Sequence, residues 1–150
     1  LELVEMDAST IGGVFRSRQK ARLHVPVPHR NLFILSLASS LASQEKAQAI
    51  VLALQQGDTE WYPSAKIDFV EGFDNLLRHL EPNLCLQTPL LDYSKSEIIA
   101  LGHELGVDFA DTYSCMRGGE KHCGTCKQCR DRRRSFVEAG FPEPASFYEK

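Results

Sequence analysis

Four of the five cysteines in this 150-residue sequence lie close together, at a spacing that suits a metal ion. They follow the pattern Cys115-x7-Cys123-x2-Cys126-x2-Cys129. Four thiolates complete a tetrahedral zinc shell, and the short gaps let a tight turn direct neighbouring sulfurs to one point. Because all four positions are then protein ligands, the predicted site is structural rather than catalytic. An iron–sulfur cluster, reduced thiols and disulfides are the alternatives.

Residues beside the cluster support the metal interpretation. Gly124 gives the turn conformational freedom, and nearby cations offset the negative charge of four thiolates. His122 is an alternative ligand, although its position directly beside Cys123 makes simultaneous coordination awkward. The fifth cysteine, Cys85, stands in an apolar stretch, which is typical of a small buried side chain.

A second group of polar residues follows the predicted strands. The apolar run 49–54 reads as a strand buried on both faces of a parallel sheet. Asp58 and Tyr62 come after it, at the edge where ligands bind in α/β folds. Lys95 lies near a helix N-terminus, where the helix dipole favours anions; it either serves a phosphate or is simply solvated. Arg30 and Asn31 enter a strongly apolar helix, either as ligand contacts or as an ion-pair partner and a cap.

The elements that position these residues alternate along the chain, which predicts an α/β fold with a largely parallel sheet. The Ser94-x-x-Glu97 capping box and Gly106 delimit one helix, and Gly140 ends the last helix. The helix from residue 30 is apolar nearly all round, so we expect it to be buried on most sides. Strands are predicted at 1–6, 49–54 and 84–88. Helices are predicted at 30–45, after residue 65, at 94–105 and at 127–139. Loops are predicted at 7–20 and 55–65.

Composition excludes several classes of protein. The net charge of −3 gives no global basic field for nucleic acid, and no apolar run is long enough to cross a membrane. The acidic first residues do not form a secretory signal, so we expect a cytoplasmic protein. The arginine run at 130 and 132–134 is interpreted as a solvated helix face, with a nucleic-acid contact as the alternative. We expect one domain over residues 1–150.

Several separate stretches resemble the C-terminal two-thirds of 7-cyano-7-deazaguanine synthases, which make the precursor of queuosine. The cysteine segment, with Arg132, Phe136 and Ala139-Gly140 downstream, is the most specific of them. The others are Val27-Pro28-His29-Arg30-Asn31 with Phe33 to Ala38, Asp58 with Tyr62-Pro63 and Phe69, and Thr88 to Asp92 with Lys95 and Glu97-Ile98-Ile99.

The resemblance implies a Rossmann-like fold of the pyrophosphate-loop ATPase type with a zinc-binding C-terminal segment at 112–150, and a homodimer. It implies an ATP-dependent ligase that activates 7-carboxy-7-deazaguanine as an adenylate. Ammonia converts the adenylate to an amide, and a second activation gives the nitrile, with magnesium accompanying the nucleotide. Arg30, Asn31, Asp58, Tyr62 and Lys66 are then the expected substrate-binding residues: Asp58 pairs with a guanine-like edge and Tyr62 stacks. Lys95 is the expected nucleotide-binding residue, and no catalytic residue is assigned.

Two departures from the family pattern leave alternatives open. The Ser-Gly-Gly-x-Asp-Ser loop that cradles pyrophosphate is absent from these 150 residues. It is expected upstream of Leu1, lost, or supplied by another chain. The family's Asp-Cys-Arg after Tyr-Pro is replaced by Ser64-Ala65-Lys66, which leaves the exact substrate and amine donor open. The alternative function is a non-catalytic or partner-dependent deazapurine-binding subunit with a structural zinc site.

Overall fold

The computed structural model describes residues 29–117, 119–144 and 148, with the side chain of Trp61 excepted. The strand predicted at 1–6 and the loop predicted at 7–20 lie outside the described residues. Within them the order is helix α1 Arg30–Gln44, strand β1 Ala49–Val51, helix α2 Gln56–Trp61, helix α3 Ile67–Leu80, strand β2 Cys85–Gln87, helix α4 Lys95–Glu104 and helix α5 Lys127–Ala139. Short 3-10 turns occupy Pro63–Ala65 and Phe109–Asp111.

The two described strands form a parallel sheet, which confirms the α/β class. Ala49 pairs with Cys85 and Val51 with Gln87, and the chain between the strands passes through α2 and α3. The backbone N–H of Leu86 points to the other edge of β2, where it donates to the Asp74 carboxylate of α3 at 2.6 Å. A side chain of α3 thus satisfies the outer edge of β2 at this residue.

One apolar core joins α1, α3 and the sheet, and residues 30–91 are called the sheet unit below. Leu35 of α1, Phe73 and Leu77 of α3 and Leu84 before β2 are each at most 7% exposed. Helix α3 presents Val70, Phe73 and Leu77 at helical spacing, so the amphipathic pattern that predicted this helix also identifies its buried face.

Two expectations about burial were wrong. Helix α1 buries Leu35 and Ala42, whereas Leu32 and Ile34 are each 46% exposed. An apolar helix without periodicity carries no sequence signal for the face that packs. The predicted strand at 49–54 is regular only at Ala49–Val51, and Val51 is 63% exposed, so it is not buried on both faces.

The predicted loop at 55–65 is also wrong, because it contains helix α2 and a 3-10 turn. The Gln55 amide donates to the Asp58 carboxylate at 3.3 Å at the start of α2, and the sequence gives little signal for this start because glutamine is an unusual N-cap residue. The Ser94–Glu97 capping box was predicted correctly. Hydrogen bonds from the Ser94 hydroxyl and amide hold the pKa of Glu97 below its usual 4.5.

The C-terminal part packs differently from the sheet unit. Residues 109–144, called the cysteine tail below, lie against α4 mainly through α5. The Phe109 and Phe136 rings meet edge to face at 5.1 Å, and Phe109 also passes so close to Gly102 that a side-chain carbon there would lie 2.7 Å from its ring. Among the described helices, none has both the length and the apolar character needed to span a membrane.

Candidate functional site

The four clustered cysteines converge on one point. Cys115 and Cys123 lie in loops, Cys126 is the N-cap residue of α5, and Cys129 lies in the first turn of that helix. Their Sγ atoms all lie within 4.8 Å of one another. Sulfurs around a tetrahedral zinc ion are separated by roughly 3.8 Å, given bonds of about 2.3 Å. The arrangement is therefore compatible with a structural metal ion.

Backbone amides also point at the sulfurs. The Arg117 and Cys123 amides each donate to Cys115 Sγ at 3.4 Å. The Cys126 amide donates to Cys123 Sγ at 3.4 Å, and the Cys129 amide donates to Cys126 Sγ at 3.5 Å. Such donors stabilise thiolates, the form in which cysteine binds a metal. The donor set and its surroundings thus fit a cation held by four thiolates.

The thiols of Cys123 and Cys129 have very different pKa values when no cation is bound. A hydrogen bond from the Thr125 hydroxyl to Cys123 Sγ is the largest of the causes that lower the pKa of Cys123 to about 5. Burial raises the pKa of Cys129 to about 12, and Cys129 is fully buried. A divalent cation removes this difference, because a coordinated thiol is deprotonated outright.

His122, the alternative ligand, is turned toward the backbone. Only 1% of its surface is exposed, and its Nε2 accepts a hydrogen bond from the Ser114 amide at 2.9 Å. The group of converging metal-ligand atoms among the described residues contains the four cysteines and not His122. Its position supports the loop before Cys115 rather than the coordination shell.

Arg132 corrects the interpretation of the arginine run. Arg130, Arg133 and Arg134 are exposed, as a solvated face requires, but Arg132 is only 5% exposed. Its Nε donates to the Glu143 carboxylate at 2.7 Å and its Nη1 to the Thr112 hydroxyl at 2.8 Å. It therefore ties α5 to the segment before Cys115 and to the segment after Gly140.

Helical spacing in the sequence could have revealed this burial. Arg132 lies three positions after Cys129 and four before Phe136, so these three side chains share one face of α5. Cys129 and Phe136 are 0% and 2% exposed. A metal ligand and a large aromatic at this spacing mark the face that packs inward.

Three of the predicted ligand-binding residues line one cleft. Asp58, Tyr62 and Lys95 meet residues of α5, among them Gln128, around a volume of about 270 Å³. The Gln56 amide donates to the Tyr93 carbonyl at 3.0 Å, which joins the start of α2 to the turn before α4. Residues 37 positions apart in the sequence are thereby brought together beyond the carboxyl end of β1.

Three other predicted substrate residues do not line this cleft. Asn31 donates to the Ser64 carbonyl at 2.9 Å and so links α1 to the 3-10 turn at Pro63–Ala65. Arg30 is the exposed first residue of α1, and Lys66 is the exposed N-cap residue of α3. Ser64 and Ala65, which replace the family's acidic residue and cysteine, are buried.

Comparison with known proteins identifies the relatives of this chain. The family model described as queuosine biosynthesis protein QueC matches residues 7–140. A 7-cyano-7-deazaguanine synthase from Rhizobium johnstonii is 38% identical over 127 residues, which cover 83% of this chain and 54% of the relative. The synthase of Methanoculleus marisnigri is 36% identical over 124 residues, covering 81% and 56%. The chain thus spans about half the length of these curated relatives.

Proposed function

The chain belongs to the QueC family of queuosine biosynthesis proteins, and from this premise we propose that it carries the deazapurine-binding part of a 7-cyano-7-deazaguanine synthase. The observation that carries the proposal is the meeting of Asp58, Tyr62 and Lys95 in one cleft. Helix α5, which begins at two of the four clustered cysteines, forms another side of that cleft. The resemblance to the family independently implies that Asp58, Tyr62 and Lys95 bind ligand.

The chemistry of the cleft suits the proposed substrate. The carboxylate of Asp58 accepts from the N–H donors of a guanine-like edge, and the half-exposed ring of Tyr62 provides a stacking surface. Lys95 supplies a cation for the acid group, or for the phosphate once that group is adenylated. A volume of about 270 Å³ lies just below the range of roughly 300–1,000 Å³ typical of ligand pockets. The described cleft thus suits a bicyclic base rather than a whole nucleotide.

The proposed reaction is an ATP-dependent ligation with balanced steps. The carboxylate of 7-carboxy-7-deazaguanine attacks the α-phosphorus of ATP and releases pyrophosphate. Ammonia then displaces AMP, which leaves the amide. The amide oxygen then attacks the α-phosphorus of a second ATP and releases pyrophosphate. It departs with AMP while the amide nitrogen gives up its two protons, which leaves the nitrile. Magnesium is the expected companion of the nucleotide. The family's pyrophosphate-binding loop is absent from these 150 residues.

We assign zinc to the four-cysteine site and the Rossmann-like pyrophosphate-loop type to the sheet. Residues 1–150 form a single domain in this proposal, and the metal-binding segment covers 112–150. Zinc in a closed four-thiolate shell stabilises structure and leaves no position for a reacting water. Elemental analysis tests the metal: one zinc per chain without visible absorption supports it, whereas iron with sulfide contradicts it. The homodimer and the cytoplasmic location stay predictions.

Binding measurements test the substrate assignment. Isothermal titration of the 150-residue chain with 7-carboxy-7-deazaguanine should show binding, and Asp58→Asn should weaken it about tenfold or more. Asp68→Asn, which alters an exposed carboxylate in the first turn of α3, is the matched control and should bind like the wild type. Equal affinities for all three proteins would contradict the role of Asp58.

Turnover separates the enzyme from a binding module. A chimera that adds a Ser-Gly-Gly-x-Asp-Ser segment ahead of this chain supplies the pyrophosphate loop that the resemblance implies. With ATP, ammonia and the acid, it should release AMP, pyrophosphate and the nitrile. Ligand binding by the chain with no turnover by the chimera would favour the non-catalytic deazapurine-binding subunit.

A further inference from the structure

Helix α5 has two functional faces. On one, Cys129 points into the sulfur cluster and is fully buried, and Cys126 caps the helix. On the other, Gln128 and Asp131 line the cleft that also contains Asp58 and Lys95. One short turn of helix thus carries both a pair of metal-ligand candidates and a wall of the cleft.

The contact across the cleft is between Lys95 and Gln128. Lys95 Nζ donates to Gln128 Oε1 at 3.5 Å, and both residues are half-buried. A lysine side chain has many rotamers, and ordering it in a site costs conformational entropy. The amide oxygen restricts those rotamers before a ligand arrives, and the ammonium keeps two further N–H donors for it.

Gln128 stands between Cys126 and Cys129 in the sequence, so a cation bound by the four sulfurs would fix both ends of its turn. Without that cation, the start of α5 would lack this cross-link. We propose that Gln128 is a positioning residue that orients the Lys95 ammonium toward the anionic group of the ligand, and that the four-cysteine site holds Gln128 there. This inference rests on the proposed function, since it takes the ligand to be a deazapurine acid.

The test compares a charged and a neutral ligand on the 150-residue chain. Gln128→Met keeps the length of the side chain and removes the acceptor, and Gln128→Ala is a second variant in case the first folds poorly. Both should weaken binding of 7-carboxy-7-deazaguanine about tenfold. Binding of the neutral 7-carbamoyl-7-deazaguanine should change less than about twofold, because it offers no anion to the ammonium. Gln44→Met, at the exposed end of α1, is the matched control.

A double-mutant cycle isolates the pair. Lys95→Met should weaken binding of the acid by itself, and adding Gln128→Met to it should have less than about a twofold further effect. Removal of the metal by a chelator should weaken binding of the acid more than Gln128→Met does, because the whole wall is displaced.

Each result decides the inference. Equal loss for the acid and the neutral amide, additive effects in the cycle, or undiminished affinity of the metal-free chain would overturn it. The inference would also be overturned if the wild type binds the acid and Gln128→Met binds it equally well. The proposed function would survive that result. A wild-type chain that binds neither ligand would overturn the proposed function and the inference together.

Discussion

The sheet unit and the cysteine tail are held together by different forces. The sheet unit buries aliphatic and aromatic side chains, such as Leu35, Phe73 and Leu77. The tail buries Cys115, Cys129, His122 and Arg132, with Phe136 as the large apolar side chain among them. Apolar burial needs no charged partner, whereas the buried guanidinium of Arg132 is compensated by the Glu143 carboxylate, and four converging thiolates would require a cation. We therefore expect the stability of the tail, unlike that of the sheet unit, to depend on a bound cation.

Metal removal should cause the largest difference in stability between the cysteine tail and the sheet unit. Structural zinc contributes on the order of 10 kcal/mol to the folding of small zinc domains at neutral pH. We expect chelation, or Cys129→Ser, to expose the amides of α5 to hydrogen exchange while those of α3 stay protected. Mass-spectrometric exchange resolves the two helices in one experiment. Equal protection of α5 with and without metal would show that the tail does not depend on a cation.

A cavity in the sheet unit should destabilise that unit and leave the metal site of the cysteine tail intact. Phe73→Ala removes a buried ring from α3 and should lower the free energy of unfolding by about 4 kcal/mol. The metal content should stay at its wild-type value, since the four sulfurs lie outside this core. Urea denaturation and elemental analysis measure the two quantities. Loss of metal in this variant would show that the tail requires an intact sheet unit.

Arg132→Met tests the buried charge of the tail. It leaves the Glu143 carboxylate, itself only 12% exposed as a side chain, without the guanidinium and should cost about 3 kcal/mol in urea denaturation. Adding Glu143→Gln should recover part of that loss, because the uncompensated charge is then gone. Arg130→Met alters an exposed arginine of the same helix and should stay within about 0.5 kcal/mol. Equal effects of both substitutions would contradict the buried network.

The same contrast explains what the sequence could predict. Helix α5 was predicted with its observed bounds because local signals mark it, ending with Gly140 at φ 78°. The fold class followed from alternating elements, and the cysteine cluster followed from spacing. The packing face of α1 could not be predicted, because Leu32 and Ile34 differ from Leu35 only in what surrounds them. The inward face of Arg132 follows from its helical spacing to Cys129 and Phe136, but no local pattern indicates its ion-pair partner Glu143, eleven positions away.

The start of α4 lies between the sheet unit and the cysteine tail. Among the substitutions other than the controls, Ser94→Ala in this segment should change the free energy of unfolding least. The Ser94 hydroxyl accepts from the Glu97 amide at 3.3 Å, which satisfies one of the free donors of the first turn. Loss of such a cap costs about 1 kcal/mol. Ser40→Ala, in the exposed part of α1, is the control and should stay within about 0.5 kcal/mol in the same urea titration.

Although Ser94→Ala should change the stability only slightly, its effect on ligand binding is informative. Lys95 directly follows Ser94, so a frayed first turn moves the ammonium out of the geometry that Gln128 maintains. Affinity for the acid should then fall while the metal content is unchanged, because the sulfurs are held by α5 and its preceding loop. Metal loss in Ser94→Ala would instead make the start of α4 a support of the cysteine tail, and the boundary between the two regions would have to be drawn before residue 94.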